Sequence, residues 1–163
     1  MKNLRLFIFT ILMLNVAFAS EIPDFKLRDL NNRLTSFSEV TGEQITLVDF
    51  WATWCKPCLR AIPKLVKIQE AYNDRGVNIV GVNVDSPRNT AKVKPLSRSL
   101  GINYPVLLDT NSEVMADLHV NLLPTLLFVD KDNKIVHTHQ GFRPGDEKEI
   151  IKIIEELLND TDK

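Results

Sequence analysis

The only two cysteines of this 163-residue chain, Cys55 and Cys58, lie three positions apart. Three positions are about one turn of a helix, so this spacing brings the two sulfurs to disulfide distance. A disulfide that closes so short a loop constrains the unfolded chain very little, so stability is a poor reason for the pair. The spacing therefore predicts a redox couple that alternates between a dithiol and a disulfide.

The residues around the cysteines indicate which sulfur reacts first. Cys55 follows an apolar run and a short exit ending at Trp54, and a helical pattern begins after it. Unpaired N–H groups at a helix N-terminus stabilise a thiolate, and such placement can lower a thiol pKa from about 8.5 to roughly 3.5–7.5. Lys56 adds a cation, and Pro57 fits the first helical turn. We predict Cys55 as the nucleophile and Cys58, one turn inward, as the resolving cysteine.

A carboxylate interrupts the apolar run that precedes the cysteines. Asp49 lies within a predicted buried strand, where an unpaired carboxylate is costly. One interpretation is structural, with Lys64 as its partner. The interpretation that we favour is functional: Asp49 accepts the proton of Cys58, helped by desolvation that raises the pKa of the acid.

A C-x-x-C pair can also be half of a zinc site or a purely structural disulfide. Zinc needs two more ligands, and the chain has no second cysteine pair. His137 and His139 are two residues apart on a predicted strand, but nothing in the sequence brings them near Cys55. We therefore expect no metal, and no cofactor other than the redox-active Cys55–Cys58 disulfide.

The N-terminus has the pattern of an export signal. Two cations precede an apolar run from Leu6 to Ala19, which ends in small residues of the A-x-A type. This pattern predicts a cleaved signal peptide, residues 1–19, and a mature domain, residues 20–163. A retained membrane anchor is the alternative, but a spanning helix needs roughly 18 or more apolar residues. We therefore expect a periplasmic protein. The chain has no run of basic residues, so its charge does not support nucleic-acid binding.

The rest of the chain predicts a single α/β domain. Apolar runs bounded by turn residues indicate strands, and apolar residues at helical spacing indicate helices. An extended N-terminal feature is predicted over residues 24–37. Strands are predicted at 45–52, 77–84, 104–108, 125–129 and 134–139, and helices from Cys58 to Gly76, at 88–100, at 112–118 and near the C-terminus. This order favours a mixed sheet with helices on both sides.

Two segments resemble the thioredoxin superfamily. The stretch Val48–Cys58 is similar to the thioredoxin active-site segment, including its buried acid, and Leu123-Pro124-Thr125 resembles the cis-proline element. The N-terminal extension and an added strand–helix segment near residues 77–103 are similar to the TlpA/ResA-like exported branch. The resemblance implies a thioredoxin fold in which Pro124, after a cis peptide bond, lies opposite Cys55.

The resemblance also implies how a client protein binds. The backbone of Leu123 would pair with a client strand beside Pro124 and Thr125, while Trp54 would line the site. One position departs from the pattern of several exported members, which carry a glutamate three residues after the second cysteine. Ala61 stands there in this chain, so we expect Asp49 to do the work of that acid.

The function that this resemblance implies is thiol–disulfide exchange on exported proteins. We expect a monomeric reductant whose client is an exported protein with a disulfide, cytochrome c maturation being the best-known task of the relatives. A membrane electron donor of the thiol–disulfide relay type would recharge it. A disulfide oxidase or isomerase is the alternative within the same chemistry.

Two further alternatives have less support. A copper metallochaperone would deliver the metal through two thiolates and a histidine, but such relatives use the wider C-x-x-x-C spacing. A peroxidase of the peroxiredoxin type would need its cysteine in a P-x-x-x-T-x-x-C setting, which this chain lacks.

Overall fold

A seven-stranded mixed sheet runs through residues 21–161, the part of the chain that the computed structural model describes. Its strands are β1 (Lys26–Asp29), β2 (Leu34–Ser36), β3 (Ile45–Trp51), β4 (Val77–Asn83), β5 (Val106–Leu108), β6 (Thr125–Asp130) and β7 (Ile135–Gln140), in the spatial order β2-β1-β5-β4-β3-β6-β7. β3 pairs in parallel with β4, and β4 with β5, whereas the other pairings are antiparallel. The expected α/β fold with a mixed central sheet is therefore confirmed, while the predicted signal peptide lies outside the described residues.

Helices cover both faces of this sheet. They are α1 (Lys56–Tyr72), α2 (Val93–Ser99), α3 (Glu113–Asp117) and α4 (Asp146–Thr161). Because side chains alternate along a strand, Ile45 and Leu47 of β3 pack against α1 and α4, whereas Val48 and Phe50 face α2 and α3. β3 is consequently buried along its whole length, which explains its nearly continuous apolar sequence. Among the described helices, none combines the length and apolar character needed to span a membrane.

The N-terminal extension is a β-hairpin that enlarges the sheet. β1 and β2 pair in an antiparallel register that opposes Leu27 and Thr35, and Asn32 in the turn between them has φ 66°. Asparagine tolerates this left-handed conformation better than most residues. β1 also pairs with β5, so the hairpin continues the sheet beyond its parallel centre.

Several element boundaries differ from the expected ones. The helix predicted to end at Gly76 stops at Tyr72, and a short 3₁₀ turn leads to Gly76 at φ 77°. The strand predicted from Tyr104 begins at Val106, after Pro105, which has no N–H to donate to a ladder. The helix predicted over 88–100 begins only at Val93, after a 3₁₀ turn.

Candidate active site

The Cys55–Cys58 pair lies where β3 gives way to α1 and forms a disulfide, with the two Cα atoms 5.3 Å apart. Cys55 is the N-cap of α1, and its sulfur accepts a hydrogen bond from the backbone N–H of Cys58 at 3.2 Å. This contact places the sulfur among the unpaired N–H groups of the first turn, which favour negative charge. Cys55 is 5% exposed and Cys58 is fully buried. An incoming thiol or disulfide can therefore reach the pair from the Cys55 side.

A buried carboxylate that our sequence reasoning missed fixes the segment leading to Cys55. Asp85 accepts hydrogen bonds from the backbone N–H and the hydroxyl of Thr53, each at 2.7 Å, and from the Asn83 side chain at 2.9 Å. Bonds to a charged acceptor are the stronger ones, so they hold the backbone two residues before Cys55. In the sequence Asp85 could be seen only as an acid that directly follows a predicted buried strand. Its role could not be inferred from that, because it depends on a contact with Thr53, 32 residues away.

Asp49 lies on the face of β3 that α1 covers. It is 1% exposed, and its Oδ2 atom has no hydrogen-bond partner. Burial raises the pKa of Asp49 from 3.8 to about 7. The pairing with Lys64 is not formed, because the Lys64 ammonium lies 3.4 Å from Glu147 of α4. Asp49 is thus a carboxyl group that can take up or release a proton near neutral pH.

An open groove of about 500 Å³ lies beside the disulfide. Trp54, 64% exposed, and Leu122, 50% exposed, present large apolar surfaces there. Such exposed apolar groups together commonly mark a binding surface. The groove is lined by Trp54, Cys55, Lys56, Pro57, Val84, Ser112, Met115, Asn121, Leu122 and Leu123.

The predicted proline segment reaches this groove through Leu123. The Leu123–Pro124 peptide bond is cis. Pro124 and Thr125 are buried behind the groove, and the Thr125 hydroxyl donates to the carbonyl of Leu122 at 2.7 Å. Any contribution of Thr125 to client binding would therefore come through the shape of the loop. Trp54, Lys56, Pro57 and Leu123 do come together around Cys55.

The histidines weighed as metal ligands lie on β7. His139 Nε2 is 3.4 Å from Asp146, and the His137 ring stacks edge-on against Phe128. Within residues 21–161, no three side chains of the types that bind metals form a cluster that could hold an ion.

A helix-capping cysteine pair beside an apolar groove, on a mixed sheet of this order, defines a thioredoxin-like thiol–disulfide oxidoreductase. Residues 18–154 match the Redoxin family model, and the chain belongs to that family. Thiol-disulfide oxidoreductase ResA of Geobacillus thermodenitrificans is 35% identical over 120 residues, which cover 74% of this chain and 67% of that protein. ResA of Bacillus subtilis is 32% identical over 127 residues, covering 78% and 69%.

Solved structures agree with this assignment. A thioredoxin-like protein from Porphyromonas gingivalis is 33% identical, with a TM-score of 0.72 over 85% of this chain and 92% of that chain. A structure from Chlorobium tepidum, described as a thiol:disulfide interchange protein DsbE, is 28% identical, with a TM-score of 0.79 over 86% and 96%. The resemblance to ResA-like thiol–disulfide oxidoreductases is therefore confirmed, and the protein is an enzyme of thiol–disulfide exchange.

Proposed function

We propose that the protein is a periplasmic reductant of disulfides in exported proteins. The observation that carries the proposal is the unequal placement of the two sulfurs: Cys55 caps α1 beside an open groove, and Cys58 is fully buried. One sulfur can meet a client, and the other can meet only its neighbour. This is the arrangement that attack and resolution require.

The reaction would proceed in two exchanges. The Cys55 thiolate attacks a client disulfide, so a mixed disulfide forms and one client thiolate leaves. Asp49 takes the proton of Cys58, and the Cys58 thiolate attacks the sulfur of Cys55 and releases the second client thiolate. The client gains two electrons, and the protein ends as the Cys55–Cys58 disulfide.

The client would lie in the apolar groove beside Cys55. Trp54 supplies exposed apolar surface there, and Leu122 and Leu123 line the same groove, with Pro124 and Thr125 buried behind them. The backbone of Leu123 would pair with an extended client segment. Unfolded segments of exported proteins, such as apocytochromes c, have the extended form and exposed cysteines that this surface would accept.

The direction of the reaction follows from the charges near Cys55. Very oxidising couples depend on strong stabilisation of the reduced thiolate. Here Lys56 is the one cation inside the C-x-x-C loop, Pro57 fills the inner position, and Asp49 adds a buried acid whose negative form opposes a thiolate. We expect a reduction potential nearer about −270 mV than about −120 mV.

A reducing couple in an oxidising compartment needs a source of electrons. We propose a membrane electron donor of the thiol–disulfide relay type, which would return the disulfide to the dithiol after each turnover. The signal peptide of residues 1–19 would bring the mature domain, residues 20–163, to the periplasm as a monomer.

An equilibrium titration tests the direction. The purified oxidised domain is incubated with graded dithiothreitol or glutathione mixtures, and the dithiol fraction is measured by alkylation. A Cys55→Ser variant should show no exchange and no reduction of insulin disulfides. A potential near about −120 mV would overturn the reductant and favour the oxidase.

Mass spectrometry of protein recovered from the periplasm should find Ser20 as the first residue, and an intact N-terminus would overturn cleavage.

A further inference from the structure

Three buried polar atoms near the active site lack hydrogen-bond partners in the protein. They are Oδ2 of Asp49, the indole nitrogen Nε1 of Trp51 and the hydroxyl oxygen of Tyr104. Within the described residues a fourth such atom, Nε2 of His139, lies 3.4 Å from a carboxylate of α4 and belongs to another region. Buried polar groups are nearly always hydrogen-bonded to protein or to ordered water, so three in one region require an explanation.

The side chains that carry these three atoms lie around Gly81 of β4. Asp49 lies opposite Gly81 in the parallel register of β3 and β4, and Trp51, two residues further along β3, points to the same face. A β-carbon at position 81 would lie 3.1 Å from Trp51 Nε1 and 3.4 Å from a ring carbon of Tyr104. Burial raises the pKa of the Tyr104 hydroxyl, and the nearby charge of Asp49 raises it further.

These groups have complementary hydrogen-bonding capacities. The Trp51 indole can only donate, the un-ionised Tyr104 hydroxyl can donate, and the Asp49 carboxylate can only accept. A water molecule has two acceptor sites and two donors, and buried waters typically make about three hydrogen bonds. Gly81 itself contributes no side-chain atom to the centre of this group, and the third neighbour of that position is Val106, whose Cγ2 would lie 3.4 Å from a β-carbon there.

We propose that Trp51, Tyr104 and Asp49 form a buried water site over Gly81, in which Trp51 and Tyr104 position a water that donates to Oδ2 of Asp49 and so stabilises the ionised carboxylate. This inference deepens the proposed function, because it supplies what keeps the proton acceptor of Cys58 ionised. Tyr104 is a positioning residue here, since it acts on Asp49 and not on the reacting sulfurs.

Among the residues that the structure describes, no positively charged side chain pairs with Asp49, so hydrogen bonds would have to stabilise its ionised form. In-register neighbours of Asp49 are Gly81 on β4 and Leu126 on β6, neither of which is charged. α4 contributes apolar side chains to this face of the sheet, and Lys64 of α1 is paired with Glu147. In the reduced protein the thiol of Cys58, in the first turn of α1, is a further titratable group of this region.

Infrared titration of the Asp49 carboxyl in the oxidised protein tests the water site without depending on activity. The band of the protonated acid is identified by its loss in Asp49→Asn. Tyr104→Phe should raise the pH midpoint of that band by about one unit, the size expected when a hydrogen bond to a charged group is lost. Gly81→Ala, whose methyl group would compete with the water, should raise it as well.

Tyr72→Phe is the matched control. Tyr72 is the other tyrosine of the chain, similarly buried, and its hydroxyl donates to Glu155 at 2.7 Å instead of facing Asp49. This variant should leave the midpoint unchanged. If Tyr104→Phe also leaves it unchanged, the water site is wrong. A rise in Tyr104→Phe without one in Gly81→Ala would indicate a direct bond from Tyr104 to Asp49 and would overturn the water.

A kinetic measurement separates this inference from the proposed role of Asp49. Resolution of a preformed mixed disulfide at Cys55 should be about fivefold slower at pH 7 in Tyr104→Phe, and close to wild type at high pH. If Asp49→Asn keeps the wild-type pH profile of resolution, the acid is not the proton acceptor and the proposed function loses that step. The infrared midpoint would still decide the water site.

Discussion

Replacing Asp49 by asparagine should make the protein more stable, by an amount that grows with pH. The folded pKa of about 7 lies above the ordinary value of 3.8, so the folded state holds the proton more tightly than the unfolded chain does. The contribution of Asp49 to the free energy of unfolding is therefore greatest below pH 3.8 and falls by about 1.4 kcal/mol per pH unit until about pH 7. Over that window the wild type should lose about 4 kcal/mol that the variant keeps.

Urea unfolding of the oxidised proteins between about pH 3.5 and 8 measures this difference. With the disulfide intact, no thiol titrates, and the other ionisable groups are shared, so they cancel when the two proteins are compared. At low pH the comparison is between a neutral acid and its amide isostere, and the two free energies of unfolding should nearly agree. Asp49→Leu is the control: its difference from Asp49→Asn should not vary with pH. A wild-type-to-Asn difference that stays constant across the range would refute the burial argument.

The remaining predictions concern the sulfurs, the approach to them and the groove. Cys58→Ser should accumulate mixed disulfides through Cys55, visible by mass spectrometry, whereas Cys55→Ser should form none; faster alkylation of Cys58 in the reduced wild type would reverse the roles. Asp85→Ala should lower the free energy of unfolding by roughly 1.5–3 kcal/mol for each lost hydrogen bond to the Asp85 carboxylate. It should also slow the attack by Cys55. Thr53→Val, which keeps the backbone bond, should have a smaller effect, and equal effects would contradict the anchoring role. Trp54→Ala should change stability by no more than about 0.5 kcal/mol, as for other exposed residues, while raising KM for a peptide disulfide; an unchanged KM would remove Trp54 from the binding surface.

The centre of the fold was accessible from sequence because burial on both faces leaves a strong signal. The runs around Phe50 and Val80 are apolar without alternation, and both became central strands within a residue of the expected limits. Boundaries set by backbone chemistry were less accessible. The end of α1 at Tyr72, with a 3₁₀ turn before Gly76, depends on local hydrogen bonds that periodicity does not encode.

The site divides in the same way. Neighbours of Cys55 in the sequence, such as Trp54 and Pro57, could be placed near it because they lie within two residues of it along the chain. Partners brought in by the sheet could not be placed in this way. Asp85 contacts Thr53 because each follows one of two neighbouring strands, β4 and β3, and Tyr104 reaches the surroundings of Gly81 from the loop before β5. The pairing of Lys64 with Asp49, named as the structural alternative, is not formed, and Lys64 instead lies 3.4 Å from Glu147 of α4.

The complete burial of Cys58 also limits how the enzyme can be recharged. An incoming thiol cannot reach the sulfur of Cys58, so reduction of the disulfide has to begin at Cys55, through the same groove that we propose for the client. Client and electron donor would then exclude each other from the protein, and each would have to leave before the other could bind. Steady-state rates measured with both partners should accordingly follow ping-pong kinetics. An excess of either partner in its spent form should inhibit the other competitively.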